Sequence, residues 1–163
     1  MARSEGFGPI ARADARIMIL GSLPGARSIA EHQYYAHPQN AFWKVMRALF
    51  GIDGDYATRC GQLCEHGIAL WDVLHSSVRP GSMDADIQLA SAKVNDFARF
   101  FDEHPGIEVV AFNGRKAEQM FARMVGHAPA GARLELLPST SPAYASMPFS
   151  AKLSAWREAL LVE

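Results

Sequence analysis

Between Gly21 and Trp43 the chain concentrates residue types able to do chemistry on a flat, polar ligand. Gly21-Ser22-Leu23-Pro24-Gly25 is a turn whose glycines let the backbone approach a ligand closely and aim amides at it, although its ordinary use is a tight strand exit. It is not a dinucleotide fingerprint, because the third glycine and the immediate helix start are missing. Neither a Walker loop nor a Gly-x-Ser-x-Gly elbow occurs. Tyr34 and Tyr35 follow in an extended stretch before His37-Pro38, so at least one ring is free to present a face for stacking. Such a contact is worth about 1–3 kcal/mol to a planar base. Phe42 falls on an apolar helical face and belongs to the core, with Trp43 placed to join it. Asn40 stands directly before Ala41-Phe42-Trp43, where a helix N-cap belongs, and asparagine is among the best caps. Its amide would equally serve a ligand.

Further polar groups close the apolar runs. Asp72 reads either as a turn carboxylate or as an acceptor for a ligand N–H. Asn113 either stabilises the turn into Gly114 or offers an amide edge. Ser139, Thr140 and Ser141 either cap the last helical region or contact phosphate. His32 and His37 share the first loop, whereas His66, His75, His104 and His127 are scattered without metal spacing, and no Ser-His-Asp constellation can be assembled. Cys60 and Cys64, four apart in a predicted helix, are too few for a disulfide framework or a four-cysteine cluster, and with His66 they lack a completing ligand. No metal or cofactor is expected.

The elements that must position these groups are apolar runs at 16–20, 68–74, 107–112 and 134–137, continuous rather than alternating, as in strands covered on both faces. Between them lie faces at three/four spacing: Phe42, Val45, Met46, Leu49 and Phe50; Val94, Phe97, Ala98 and Phe101; Ala117, Met120, Phe121 and Met124; and Leu153, Trp156 and Leu160. Pro105-Gly106 stops the second face and Gly126 the third. The alternation predicts an α/β fold: one three-layer domain over residues 1–163, with a mostly parallel four-stranded sheet between helices. In such a sheet the exits at Gly21-Ser22, Asp72, Asn113-Gly114 and Pro138–Pro142 share one edge and converge on one crevice.

A chain of 163 residues, 49% hydrophobic, fits one domain with a full core. Its N-terminus lacks a signal-peptide pattern and no run approaches a membrane span, so a reduced cytoplasmic setting is expected, beside the nucleoid in a bacterium. Sixteen basic and 17 acidic residues give a net charge of -1, hence no global attraction for polyanions. A nonspecific nucleic-acid coat is disfavoured; an enzyme gripping a few phosphates through a local patch is not.

Residues 21–43 resemble motif 1 and the segment after it in the uracil-DNA glycosylase superfamily. Tyr35-Ala36-His37-Pro38-Gln39-Asn40-Ala41-Phe42-Trp43-Lys44 is particularly similar to the mismatch-specific uracil/thymine branch, and Pro138–Ala143 occupies the place of motif 2. The strand ending in Asp72 and the Asn113–Ala117 stretch also fall where family segments would. The mismatch-specific branch has a water-positioning asparagine at the position of Leu23, and leucine has no oxygen to orient water. Gly-Ser-Leu-Pro-Gly with Ser-Thr-Ser-Pro-Ala instead resembles the deoxyinosine-specific branch, the hypoxanthine-DNA glycosylases, in which catalysis is attributed to a later asparagine. The matching residue is Asn40. The absence of four cluster cysteines separates the chain from the iron–sulfur uracil glycosylases.

The resemblance implies hydrolysis of the N-glycosidic bond to a deaminated base in DNA, hypoxanthine before uracil, leaving an abasic site for base-excision repair. It implies a base stacked on Tyr35, backbone amides around Ser22 and Leu23 at its carbonyl, and Asp72 or Asn113 at its N–H edge. Asn40 would orient water or the sugar. Gly25, Ser139, Thr140, Ser141 and Ala143 would meet DNA, with 143–147 probing the duplex. The partner is lesion-bearing DNA, with no membrane and no obligate protein partner. Two rivals share the crevice: a small-molecule nucleoside or sugar-phosphate hydrolase, which neutral charge favours, and a noncatalytic lesion-binding domain, for which Leu23 argues.

Overall fold

A computed structural model describes residues 3–161. Its centre is a four-stranded parallel sheet of β2 (Ile17–Gly21), β3 (Ile68–Asp72), β6 (Val109–Asn113) and β7 (Arg133–Leu137), in the order β3-β2-β6-β7. Successive strand residues point to opposite faces, and the core divides accordingly. Met18, Leu20, Val110 and Phe112 pack on one side with Phe97, Phe100 and Phe101 of α4 (Phe97–Glu103) and with Ala117, Met120 and Phe121 of α5 (Arg115–Met124). Ile19, Val109 and Ala111 face α2 (Phe42–Phe50), α3 (Tyr56–Glu65) and α6 (Phe149–Leu160), where Phe42, Met46, Leu63 and Trp156 are fully buried. The expected α/β sandwich is therefore present. Among the described residues no helix is long and apolar enough to cross a membrane.

Four features depart from expectation. The run 68–74 is not one strand: β3 ends at Asp72, and β4 (Leu74–Val78) turns away to pair antiparallel with β1 (Arg3–Glu5) and β5 (Lys93–Val94) in a second sheet. With three and two residues, β1 and β5 are too short for period-two alternation to reveal them. Val94 thus lies in β5, and α4 starts after Asp96, whose side chain accepts from the Arg99 N–H at 3.1 Å. A short helix, α1 (Ala26–Glu31), occupies part of the first loop. Finally, β7 is an edge strand with one face open: Leu134 is 56% and Leu136 42% exposed.

The strand order places the site. From β2 the chain crosses to β3 on one side; from β3 it returns past β2 to β6, then goes on to β7. The direction reverses between β2 and β6, and in open α/β sheets ligands bind outside the carboxyl ends at such a switch point. Gly21-Ser22 and Asn113-Gly114 are those ends.

Candidate active site

At that edge opens a cleft of about 1040 Å³. It brings together Ser22, Leu23, Gly25, Tyr35, Asn40 and Asp72 from the first half of the chain with Asn113, Ser139, Thr140, Ser141 and Ala143 from the second. What each can do there depends on the atoms it leaves free.

Tyr34 and Tyr35 part company. Tyr34 is core, its hydroxyl donating to the Gly8 carbonyl at 2.8 Å. Tyr35 is half-buried, with Phe42 stacked on one face at 4.2 Å and 24°. Its hydroxyl is buried without a partner, and the residue lines the cleft. The backbone at Tyr35 is left-handed, with φ 56°, a conformation that costs a non-glycine residue of the order of 1–3 kcal/mol. Neighbouring bonds hold it there. The Tyr56 hydroxyl accepts from the Tyr34 N–H at 2.9 Å, the Trp43 indole donates to the Tyr34 carbonyl at 2.9 Å, and Ser28 Oγ accepts from the Ala36 N–H at 3.1 Å. Ser28, Trp43 and Tyr56 are thus positioning residues that spacing along the chain does not reveal.

Asp72 ends β3 with 4% exposure, and its Oδ2 is buried without a partner. Burial pushes its carboxyl up to about 7, with Asp84 adding to the shift and Arg79 opposing it. The carboxyl comes this close only because residue 21 is glycine: a Cβ there would lie 2.5 Å from Asp72 Oδ1 and 3.0 Å from the Tyr35 hydroxyl. Gly21→Ala should therefore displace both groups, costing roughly 1–3 kcal/mol of stability and about tenfold in any activity of the cleft. Urea unfolding alongside a turnover assay checks this; a variant with unaltered turnover contradicts the shared position.

Leu23 takes no part through its side chain, which is buried in the core. Ser22 Oγ donates to Asp84 Oδ1, while the Arg79 guanidinium, buried beneath, donates to the Pro24 carbonyl. Gly25 abuts Ser82, whose Oγ accepts from the Ala26 N–H at 2.8 Å, so this glycine seats the segment after β4. Asp84, Arg79 and Ser82 escape a reading of the sequence because residues 79–92 carry neither helix nor strand period.

The structure gives Asn113 and Thr140 to each other. Asn113 Nδ2 donates to Thr140 Oγ1 at 2.9 Å, and the Thr140 N–H donates to Asn113 Oδ1 at 2.9 Å. Thr140 is 1% exposed, its hydroxyl turned inward; Asn113 ties down the serine loop and still lines the cleft, with a second N–H and a second lone pair left on its amide. Gly114, at φ 95°, completes the tie, since a Cβ there would lie 3.1 Å from Ser139 Cβ. Ser139 Oγ accepts from the Ser141 N–H at 3.1 Å and Ser141 Oγ from the Ala143 N–H at 3.2 Å, leaving both hydroxyl hydrogens available.

Asn40 lies one residue before the α2 N-cap, Ala41, yet its Oδ1 accepts from the Phe42 N–H at 2.9 Å. That bond fixes which amide atom is oxygen. Oδ1 retains one lone pair and the NH2 keeps its donors, on a half-buried side chain lining the cleft. Capping and ligand contact are compatible. The cleft can thus stack a planar ring on Tyr35, hydrogen-bond its edge at Asp72 and hold water or a sugar at Asn40.

The uracil DNA glycosylase superfamily model matches residues 7–161. A protein from Methanosarcina barkeri named hypoxanthine DNA glycosylase is 38% identical over 118 residues, 71% of this chain and 73% of that one. A protein of the same name from Methanosarcina acetivorans is 35% identical over 142 residues, 85% and 87% of the two chains. The solution NMR structure of a candidate uracil DNA glycosylase from M. acetivorans superimposes with a TM-score of 0.82 at 32% identity, covering 96% of each chain.

Proposed function

The chain belongs to the uracil DNA glycosylase superfamily, and from that premise we propose that it is a monofunctional DNA glycosylase releasing a deaminated base, hypoxanthine foremost. The observation that carries this reading is the orphaned Asp72 carboxyl beside the half-exposed Tyr35 ring at the switch point. Deamination turns an amino-bearing edge into a lactam with one N–H and one C=O. A neutral carboxyl likewise presents one donor and one acceptor, so it pairs with that edge. A buried carboxyl left unpaired is costly, and a ligand that pairs it recovers the loss.

A base inside a duplex cannot reach the cleft. Extruding it costs a few kcal/mol, least for a mispaired base such as hypoxanthine. Once seated, the base is held between Tyr35 and the Ser22-Leu23 backbone, whose N–H groups face the electron density that collects on its carbonyl. The C1′–N bond then breaks, the electron pair leaving with the base. Water held by the lone pair of Asn40 Oδ1 that Phe42 leaves unused attacks C1′. Its oxygen completes the abasic sugar, and its proton balances the charge on the departing base. Ser139 and Ser141 hold the adjoining phosphates.

Labelled oligonucleotides carrying hypoxanthine, uracil, xanthine or normal bases, treated with alkali to cut abasic sites, test this. Cleavage at hypoxanthine above the other bases is expected, with no turnover of free deoxyinosine. Turnover of the free nucleoside at a comparable rate would make the protein a small-molecule hydrolase; tight binding without base release would make it a lesion-binding domain.

A further inference from the structure

Beside the cleft, and sharing Thr140, Ser141, Pro142 and Tyr144 with it, is a depression of about 430 Å³ between the first turns of α2 and α6. Lys44 and Lys152 line it, and no acidic residue does. Lys152 is 6% exposed, and among the described residues neither lysine side chain has an ion-pair or hydrogen-bond partner. Lysine is almost never buried so far unless it is paired. Here its one charge-related contact is the Tyr144 ring, 5.1 Å from Nζ, and burial pulls its ammonium below the ordinary lysine value. The side chain is thus almost wholly covered while it lines the depression. The acids of the cleft, Asp72 and Asp84, lie outside this depression's lining.

We propose that this depression is a phosphate subsite, in which Lys152 and Lys44 clamp the DNA phosphodiester next to the extruded nucleotide. The proposal rests on the glycosylase reading and supplies the local cationic patch that a chain of net charge -1 requires to hold DNA. Sharing the Ser141-Pro142 wall, the subsite carries the strand from the cleft mouth over the loop at 143–147. Tyr144, set against the ammonium, keeps that loop beside the strand.

The test is binding to a duplex containing a stable abasic-site analogue, measured across about 50–200 mM salt for wild type, Lys152→Met and Lys152→Arg. Methionine keeps the buried stem and removes the charge, so the variant should fold, with a Tm equal to wild type or higher. Loss of one phosphate contact should weaken binding several-fold at low salt and flatten the slope of log K against log salt by about one. Arginine should restore the slope. An unchanged slope in a folded Lys152→Met that binds DNA overturns the subsite while leaving the glycosylase reading intact. Wild-type protein that binds no DNA overturns both. Binding of inorganic phosphate that depends on Lys152, with no change in the DNA slope, assigns the depression to a free anion and also overturns the proposal.

Discussion

Asn40→Ala is expected to lower single-turnover excision of hypoxanthine by about 10²–10³-fold, the scale set by removing one preorganised polar group from a reaction centre. The same change deletes the bond from the Phe42 N–H, so it should also cost about 1 kcal/mol of stability. The two effects separate in Asn40→Ser. Serine supplies another acceptor for the amide, returning most of the stability, but it cannot reproduce the lone pair and NH2 that face the cleft. Activity should stay as low as in Asn40→Ala. Should the serine variant excise at the wild-type rate, Asn40 is a cap and nothing more.

Asp72→Asn is expected to reshape both stability and the pH profile. The folded carboxyl titrates near 7 against an ordinary 3.8, so between these values the folded state holds a proton that the unfolded chain has released. Its contribution is fully present below about pH 4 and is lost as pH rises through 7, where the buried carboxylate must form. Asparagine never ionises. At pH 8 the variant should exceed wild type by about 2–4 kcal/mol in urea unfolding, the gap closing towards pH 4. Excision follows the same proton: wild type should decline above pH 7 as the donor is lost, and Asp72→Asn should show no such limb. Wild-type excision that rises through pH 7 would make the carboxylate the working form.

The sequence makes plain what is written in strand exits. Continuous apolar runs place Gly21, Asp72, Asn113 and the serine loop on one edge, and the parallel order delivers them to one cleft. It does not reveal which polar atoms remain free. Asn113 and Thr140 have the composition of ligand-binding residues, but they face each other, a pairing across 27 positions that no local pattern announces. Asp72 and Tyr35 have equally ordinary side chains, and only burial shows their oxygens stranded. Lys152 lies in a helix as any surface lysine would; packing of Tyr144 over its tip sets it apart. The second sheet is hidden for a different reason, two of its three strands, β1 and β5, being too short to display a period.

The central claim is a position: an extruded lactam base over Tyr35, its N–H/C=O edge at Asp72. A structure of Asn40→Ala bound to a duplex bearing deoxyinosine tests it most directly. The base should be found out of the helix, stacked on the face of Tyr35 turned away from Phe42, with Asp72 Oδ2 within hydrogen-bond distance of its edge. A hypoxanthine still stacked in the duplex, or lodged away from Tyr35 and Asp72, would contradict the account.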